Sequence, residues 1–174
     1  MKRFSLCISF LVILFSLIFL PVSVLAEEND STISAKLKSG GSFELFWPLT
    51  AGKTIGDSTY FLKLWKEKIQ GILIFDNIQK ADYEVKLATK RALEAEKLLK
   101  ENKNDLAVQT LEKSLTNLIS ARVNFSKSIK SGNDFQSVKI NIINQLSNLE
   151  VFLPSLASSD KVQELVKSFL SDLR

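Results

Sequence analysis

Histidine is absent from this 174-residue chain, and cysteine occurs once. Without histidine there can be no Ser-His or Cys-His nucleophile pair, no His-ligated zinc and no histidine pH switch. The lone Cys7 lies in the N-terminal apolar run, so the remainder can form no disulfide and must be stabilised by a packed core. Glycine and proline are scarce, at 6 and 3 residues, and unevenly placed. Gly40, Gly41, Pro48, Gly52 and Gly56 crowd the early part, whereas residues 72–131 contain neither. A stretch of that length, rich in Leu, Ala, Lys and Glu, is expected to be helical.

Net charge is also small. The chain carries 23 basic and 19 acidic side chains. Its beginning reads as an export signal: Lys2-Arg3, an uncharged run from Phe4 to Leu20, Pro21, and Val24-Leu25-Ala26 before the acidic Glu27-Glu28. Cleavage after Ala26 is expected, with an uncleaved N-terminal membrane anchor as the alternative. Cleavage would also remove Lys2 and Arg3, leaving 21 basic groups against 19 acidic ones, too even a balance to indicate nucleic acid. Membrane contact is expected only through the signal segment, if that stays uncleaved. The polar residues 27–42 read as a flexible leader, and residues 43–174 as the helical domain, with residues 43–131 holding an aromatic segment and three helices and 132–174 the C-terminal helices.

The fold class expected is all-α, four to five helices in a small bundle with a central antiparallel hairpin. A first helix starts after Asp57 or Ser58, with Tyr60, Phe61, Leu64, Trp65, Ile69, Ile72 and Leu73 on one side. It ends near Phe75, where Asp76 or Asn77 can cap the next helix. There Ala81, Val85, Ala88, Ala92, Ala95 and Leu99 form a mostly alanine stripe that admits close approach. The polar turn Glu101–Asn104 leads to a third helix with the stripe Val108, Leu111, Leu115, Leu118, Arg122, Phe125 and Ile129, its large residues facing the small ones. Phe135 to Leu153 gives a fourth helix stopped by Pro154. Val162, Leu165, Val166, Phe169 and Leu173 give a fifth.

Few residues suggest chemistry. Ala51-Gly52-Lys53-Thr54 resembles the end of a phosphate-binding loop, but the glycine required five residues earlier is Trp47, so a polar turn is expected. Asp82, Glu84, Glu94 and Glu96 lack the histidines of a di-iron bundle and read as a solvated face. Arg122 either buries its guanidinium against Glu94 or Glu84, or lies at the seam's edge with its head in water; the edge is expected. Aromatics cluster between Phe43 and Tyr83. They could line a groove for a peptide or sugar, but a loop beside an aromatic helix is usually core, so Phe46-Trp47-Pro48-Leu49 is expected to fold over the first helix. If any surface binds a partner, Phe46, Trp47, Tyr60, Phe61 and Trp65 are the candidates.

From Tyr60 onward the succession Tyr60-Phe61-Leu62-Lys63, Lys66-Glu67-Lys68-Ile69, Phe75-Asp76, Lys80-Ala81, Leu87-Ala88, Lys90-Arg91, Glu94-Ala95 and Asp105-Leu106-Ala107 resembles a helical domain family of unknown function found in exported bacterial proteins. The likeness covers about residues 45–125 and rests on spacing across three helices. It implies an extracytoplasmic helical domain and supplies no catalytic residues. No catalytic, cofactor or metal site is therefore expected. The function expected is that of an exported, non-enzymatic envelope interaction or structural module, whose partner is another envelope protein or a peptide. The alternative is a periplasmic chaperone-like or peptide-binding protein with an aromatic cradle.

Overall fold

The structure, a computed structural model, describes residues 42–129 and 135–173. The export signal at 1–26, most of the polar leader and Gly132 lie outside the described residues. A short helical turn, α1 (Ser42–Phe46), is followed by five longer helices: α2 (Tyr60–Leu73), α3 (Asn77–Lys100), α4 (Asn104–Ile129), α5 (Gln136–Phe152) and α6 (Asp160–Leu173). There is no strand among the described residues. The fold is all-α.

Helices α3, α4, α6 and α5 contact one another in that order around a ring, α5 closing on α3. Nothing but the turn at Glu101–Lys103 separates α3 from α4, which makes them the expected hairpin. That turn is closed by the amides of Glu101, Asn102 and Lys103 donating to carbonyls of Lys97, Leu98 and Leu99. Asn102 adopts a left-handed φ of 59°, a conformation asparagine tolerates at a helix end. Asp76 caps α3, its Oδ1 accepting from the Ile78 amide at 2.9 Å.

Of the α3 stripe, Ala81, Val85, Ala88, Ala92 and Ala95 are buried, as the spacing predicts, and Leu99 at its end is partly buried. On α4 the buried positions are Ala107, Thr110, Leu111, Ser114, Leu118, Ala121, Phe125 and Ser128, while Val108 and Ile129 are exposed. Small residues therefore occur on both sides of the hairpin, not on α3 alone. Their hydroxyls remain satisfied: Ser114 Oγ donates to the Ala88 carbonyl at 2.9 Å and Thr110 Oγ1 to that of Leu106 at 2.7 Å. The α4 face is also shared, since Phe125 meets Phe169 of α6 edge-on at 5.9 Å. Pro154 ends α5 in a single 3-10 turn, and the buried Ser159, whose Oγ donates to Leu153 and Leu156 carbonyls, leads into α6.

Two polar readings need correction. The acidic residues of α3 are not a solvated face. Glu94 is 0% exposed and Asp82 is buried, its Oδ1 accepting from Asn141 at 2.7 Å and Gln145 at 2.9 Å on α5. Glu84 accepts from Asn117 of α4, and Glu96 from Ser42 of α1 and from Lys100. A carboxylate within a ring of helices offers neighbours an acceptor, so these residues hold the helices in register. Neither Asp57 nor Ser58 caps α2: the Asp57 carboxylate instead accepts from the Thr54 amide at 2.7 Å, which lowers its pKa, chiefly through that hydrogen bond. Arg122 does lie at the edge, and its partner is Asp172 of α6 at 2.6 Å.

Candidate functional site

Helix α2 stands apart from the ring, making no comparably close backbone approach to any of the other helices. What joins it to α3 is polar. Lys63 pairs with Glu94, and Glu67 with Arg91. Arg91 Nη1 also donates to both oxygens of Glu94, at 2.9 and 3.1 Å. Tyr83 Oη donates to the Glu67 carbonyl at 2.8 Å, and its ring lies against Gly71, where an added Cβ would come within 3.4 Å. The Tyr60 ring is approached by three cations, Lys113 at 5.1 Å, Lys63 at 5.4 Å and Arg91 at 5.9 Å.

Burial and charge act against each other in this cluster. Arg91 is only 3% exposed, and although burial disfavours its charge, Glu94 and Glu67 outweigh that and raise its pKa. Burial lowers the pKa of Lys63 despite its Glu94 partner, and lowers that of Lys113. It raises the pKa of Tyr60 and, with help from Glu67 and Glu84, pushes Tyr83 up to about 12. Tyr60 Oη, Glu67 Oε1 and Arg91 Nε have no partner among the described residues. Buried ion pairs of this kind add little net stability over apolar packing, yet they fix orientation, because only one rotation of α2 satisfies them.

The consequence is that α2 carries its polar side inward. At about 100° per residue, Tyr60, Lys63, Leu64, Glu67 and Gly71 fall towards the ring, and Phe61, Leu62, Trp65, Ile69, Ile72 and Leu73 occupy the opposite arc. Phe61 is 64% exposed and Trp65 67%; Leu62, Ile69, Ile72 and Leu73 are exposed too, and Phe75 beyond the helix is 90% exposed. The expectation that the aromatic side of this helix is covered core is therefore overturned. Phe46 does enter the core, meeting Phe152 edge-on at 5.3 Å, but Trp47 remains 68% exposed. Of the five candidate residues, Trp47, Phe61 and Trp65 are at the surface, whereas Phe46 and Tyr60 are inside.

Beside the cluster lies a cleft of about 520 Å³ bordered by residues 48–50, Gly52, Lys53, Lys63, Lys66, Glu67, Gln70, Lys90 and Glu94. The Gly52-Lys53-Thr54 segment forms one wall as a bend, with Thr54 buried and the Lys53 carbonyl accepting from Lys63. No group of three or more acidic or cysteine side chains that could hold a metal occurs among the described residues. No helix among them is long and apolar enough to cross a membrane.

Arg91 and Glu94 were the residues least visible in sequence as a site. The signal was a second buried stripe on α3, Leu87, Arg91, Glu94 and Leu98, carrying opposite charges at its centre. Taken together, these features define a helical ring bearing an outlying helix whose apolar side faces solvent. The chain belongs to the family described as Domain of unknown function (DUF5667), whose model matches residues 52–155, from the bend before α2 to the end of the 3-10 turn. No curated protein and no solved structure matches it.

Proposed function

We propose that the chain is an exported, non-enzymatic docking module of the cell envelope, and that its working surface is the apolar side of α2. One observation carries this reading: Phe61, Trp65 and Ile72 of α2 and Phe75 just beyond it are exposed together, while Lys63 and Glu67 of the same helix turn inward to pair with Glu94 and Arg91. Contiguous exposed apolar surface of this kind marks an interaction site. Covering a large apolar side chain is worth roughly 1.5–3 kcal/mol, so several together can offset the cost of association. The pattern of residues 1–26 supports export. The absence of histidine from the sequence, together with a cluster whose cations Lys63 and Arg91 are taken up by Glu94 and Glu67, supports a non-enzymatic role. A peptide cradle has less behind it, because Phe46 and Tyr60 are buried and leave a convex helix face.

Photo-crosslinking in cells tests the reading. A photoreactive phenylalanine analogue placed at Phe61, Trp65 or Ile72 is expected to give adducts, and one at Ile140, an exposed apolar residue on α5, is not. Equal yields from both helices would remove the assignment.

A further inference from the structure

We infer that the surface on which α2 docks is an anionic lipid bilayer. The inference rests on the docking reading above and adds the chemistry of the partner, and it departs from the expectation that only an uncleaved signal segment touches membrane.

Its first support is the arrangement of charge around the apolar arc. At about 100° per residue the exposed apolar residues of α2 span an arc of roughly 120°, from Phe61 to Leu73. Lys68 stands about 20° beyond Phe61 on one border, and Lys66 about 20° beyond Leu73 on the other. Both lysines are exposed, and Glu67, the helix's one acid, is buried against Arg91. Other cations reinforce each border: Lys80 lines the groove beside Lys68, while Lys53 and Lys90 line the cleft beside Lys66. Of the nearby acids, Asp76 is exposed but spends its carboxylate capping α3, and the half-buried Glu84, in the groove of Lys68 and Lys80, accepts from Asn117, so the lysines outnumber the acids along both borders.

A helix with Trp and Phe in its apolar arc and lysines along both edges is built to lie in the plane of a bilayer interface. Its rings sink to the acyl boundary, and its lysine stems follow them while the ammonium groups meet lipid phosphates. Tryptophan favours that depth. Protein interfaces, by contrast, are depleted in lysine. A second copy paired face to face would bring lysine-bordered edges against each other. The pairing of Lys63 with Glu94 and of Glu67 with Arg91 completes the device, because an interfacial helix usually turns its polar side to water and here the charges on that side are engaged by the ring. Once a signal is cleaved, this face gives the mature chain an attachment of its own.

Trp47 and Trp65 are the only tryptophans, so Trp47→Phe makes Trp65 the sole reporter in the full chain. Mixed with vesicles of phosphatidylglycerol carrying brominated acyl chains, this protein is expected to lose roughly half or more of its Trp65 emission, and far less with brominated phosphatidylcholine. Because the signal comes from Trp65 itself, insertion of residues 4–20 into the bilayer does not produce it. Phe61→Glu, at an exposed site, should keep the helical content and abolish the quenching. Lys66→Gln with Lys68→Gln should raise the anionic lipid needed for half-maximal quenching by roughly fivefold per lysine. Unquenched Trp65 on anionic vesicles, alongside crosslinks from α2 in cells, overturns the lipid assignment and leaves the docking reading standing. If the crosslinks are missing as well, both fall. A lipid-independent, concentration-dependent blue shift assigns the face to a second copy and likewise overturns the inference.

Discussion

Arg91→Ala is expected to destabilise the fold by about 3–5 kcal/mol, because it leaves carboxylates in the interior without their strongest partner. Glu94 is 0% exposed and Glu67 is buried, and among the described residues Lys63 is the one remaining cation paired with Glu94 and makes no ion pair with Glu67. Chemical denaturation of the variant against the parent measures the loss, and a difference under about 1 kcal/mol would mean that the pair is open to water. A companion variant separates stability from orientation. Replacing Glu67, Arg91 and Glu94 together by Met and Leu should restore much of the stability, since apolar residues of similar volume often replace a buried ion pair at no loss. It should also make α2 apolar on both sides, with nothing to select which faces the ring.

Ala88→Phe should destabilise by about 1–3 kcal/mol through overpacking. Ala88 is fully buried between hairpin helices, and its carbonyl accepts from Ser114 Oγ, so the α4 backbone is held near by a hydrogen bond as well as by packing. A phenyl ring there would push the helices apart or take a strained rotamer. Thermal unfolding reads the effect, and an unchanged midpoint would show that the small-residue seam does not bring the helices close.

The hairpin was legible because its cause is local. Residues 72–131 lack glycine and proline, the alanine stripe repeats at helical spacing, and a polar turn divides it where α3 ends. The outward face of α2 was half legible. The apolar arc of Phe61, Trp65, Ile69 and Ile72 is plain in the spacing, but periodicity states only that a helix has two unlike sides and not which of them faces in. The ordinary rule buries the apolar side, and it fails here because Arg91 and Glu94 on another helix claim the polar one. That pairing joins residues 24 and 31 positions apart, so no local pattern announces it. Tyr60, Lys63, Glu67, Arg91 and Glu94, which meet in the cluster, all belong to the residues that carry the family resemblance. The resemblance therefore included these residues, but nothing in it set them apart as a site.

The same long-range pairing explains the misread carboxylates. Asp82, Glu84 and Glu96 have favourable or neutral surroundings along α3, and Asp82–Lys86 and Glu96–Lys100 do form the acid-first pairs their spacing predicts. Their additional partners, Asn141, Gln145, Asn117 and Ser42, lie on three other helices and emerge only from the packing.

That α2 is mounted with its apolar side in solvent is tested most directly by acrylamide quenching of Trp65 in the Trp47→Phe chain without lipid. The expected result is red-shifted emission quenched nearly as readily as free tryptophan, and a blue-shifted, protected signal would contradict the outward orientation of the helix.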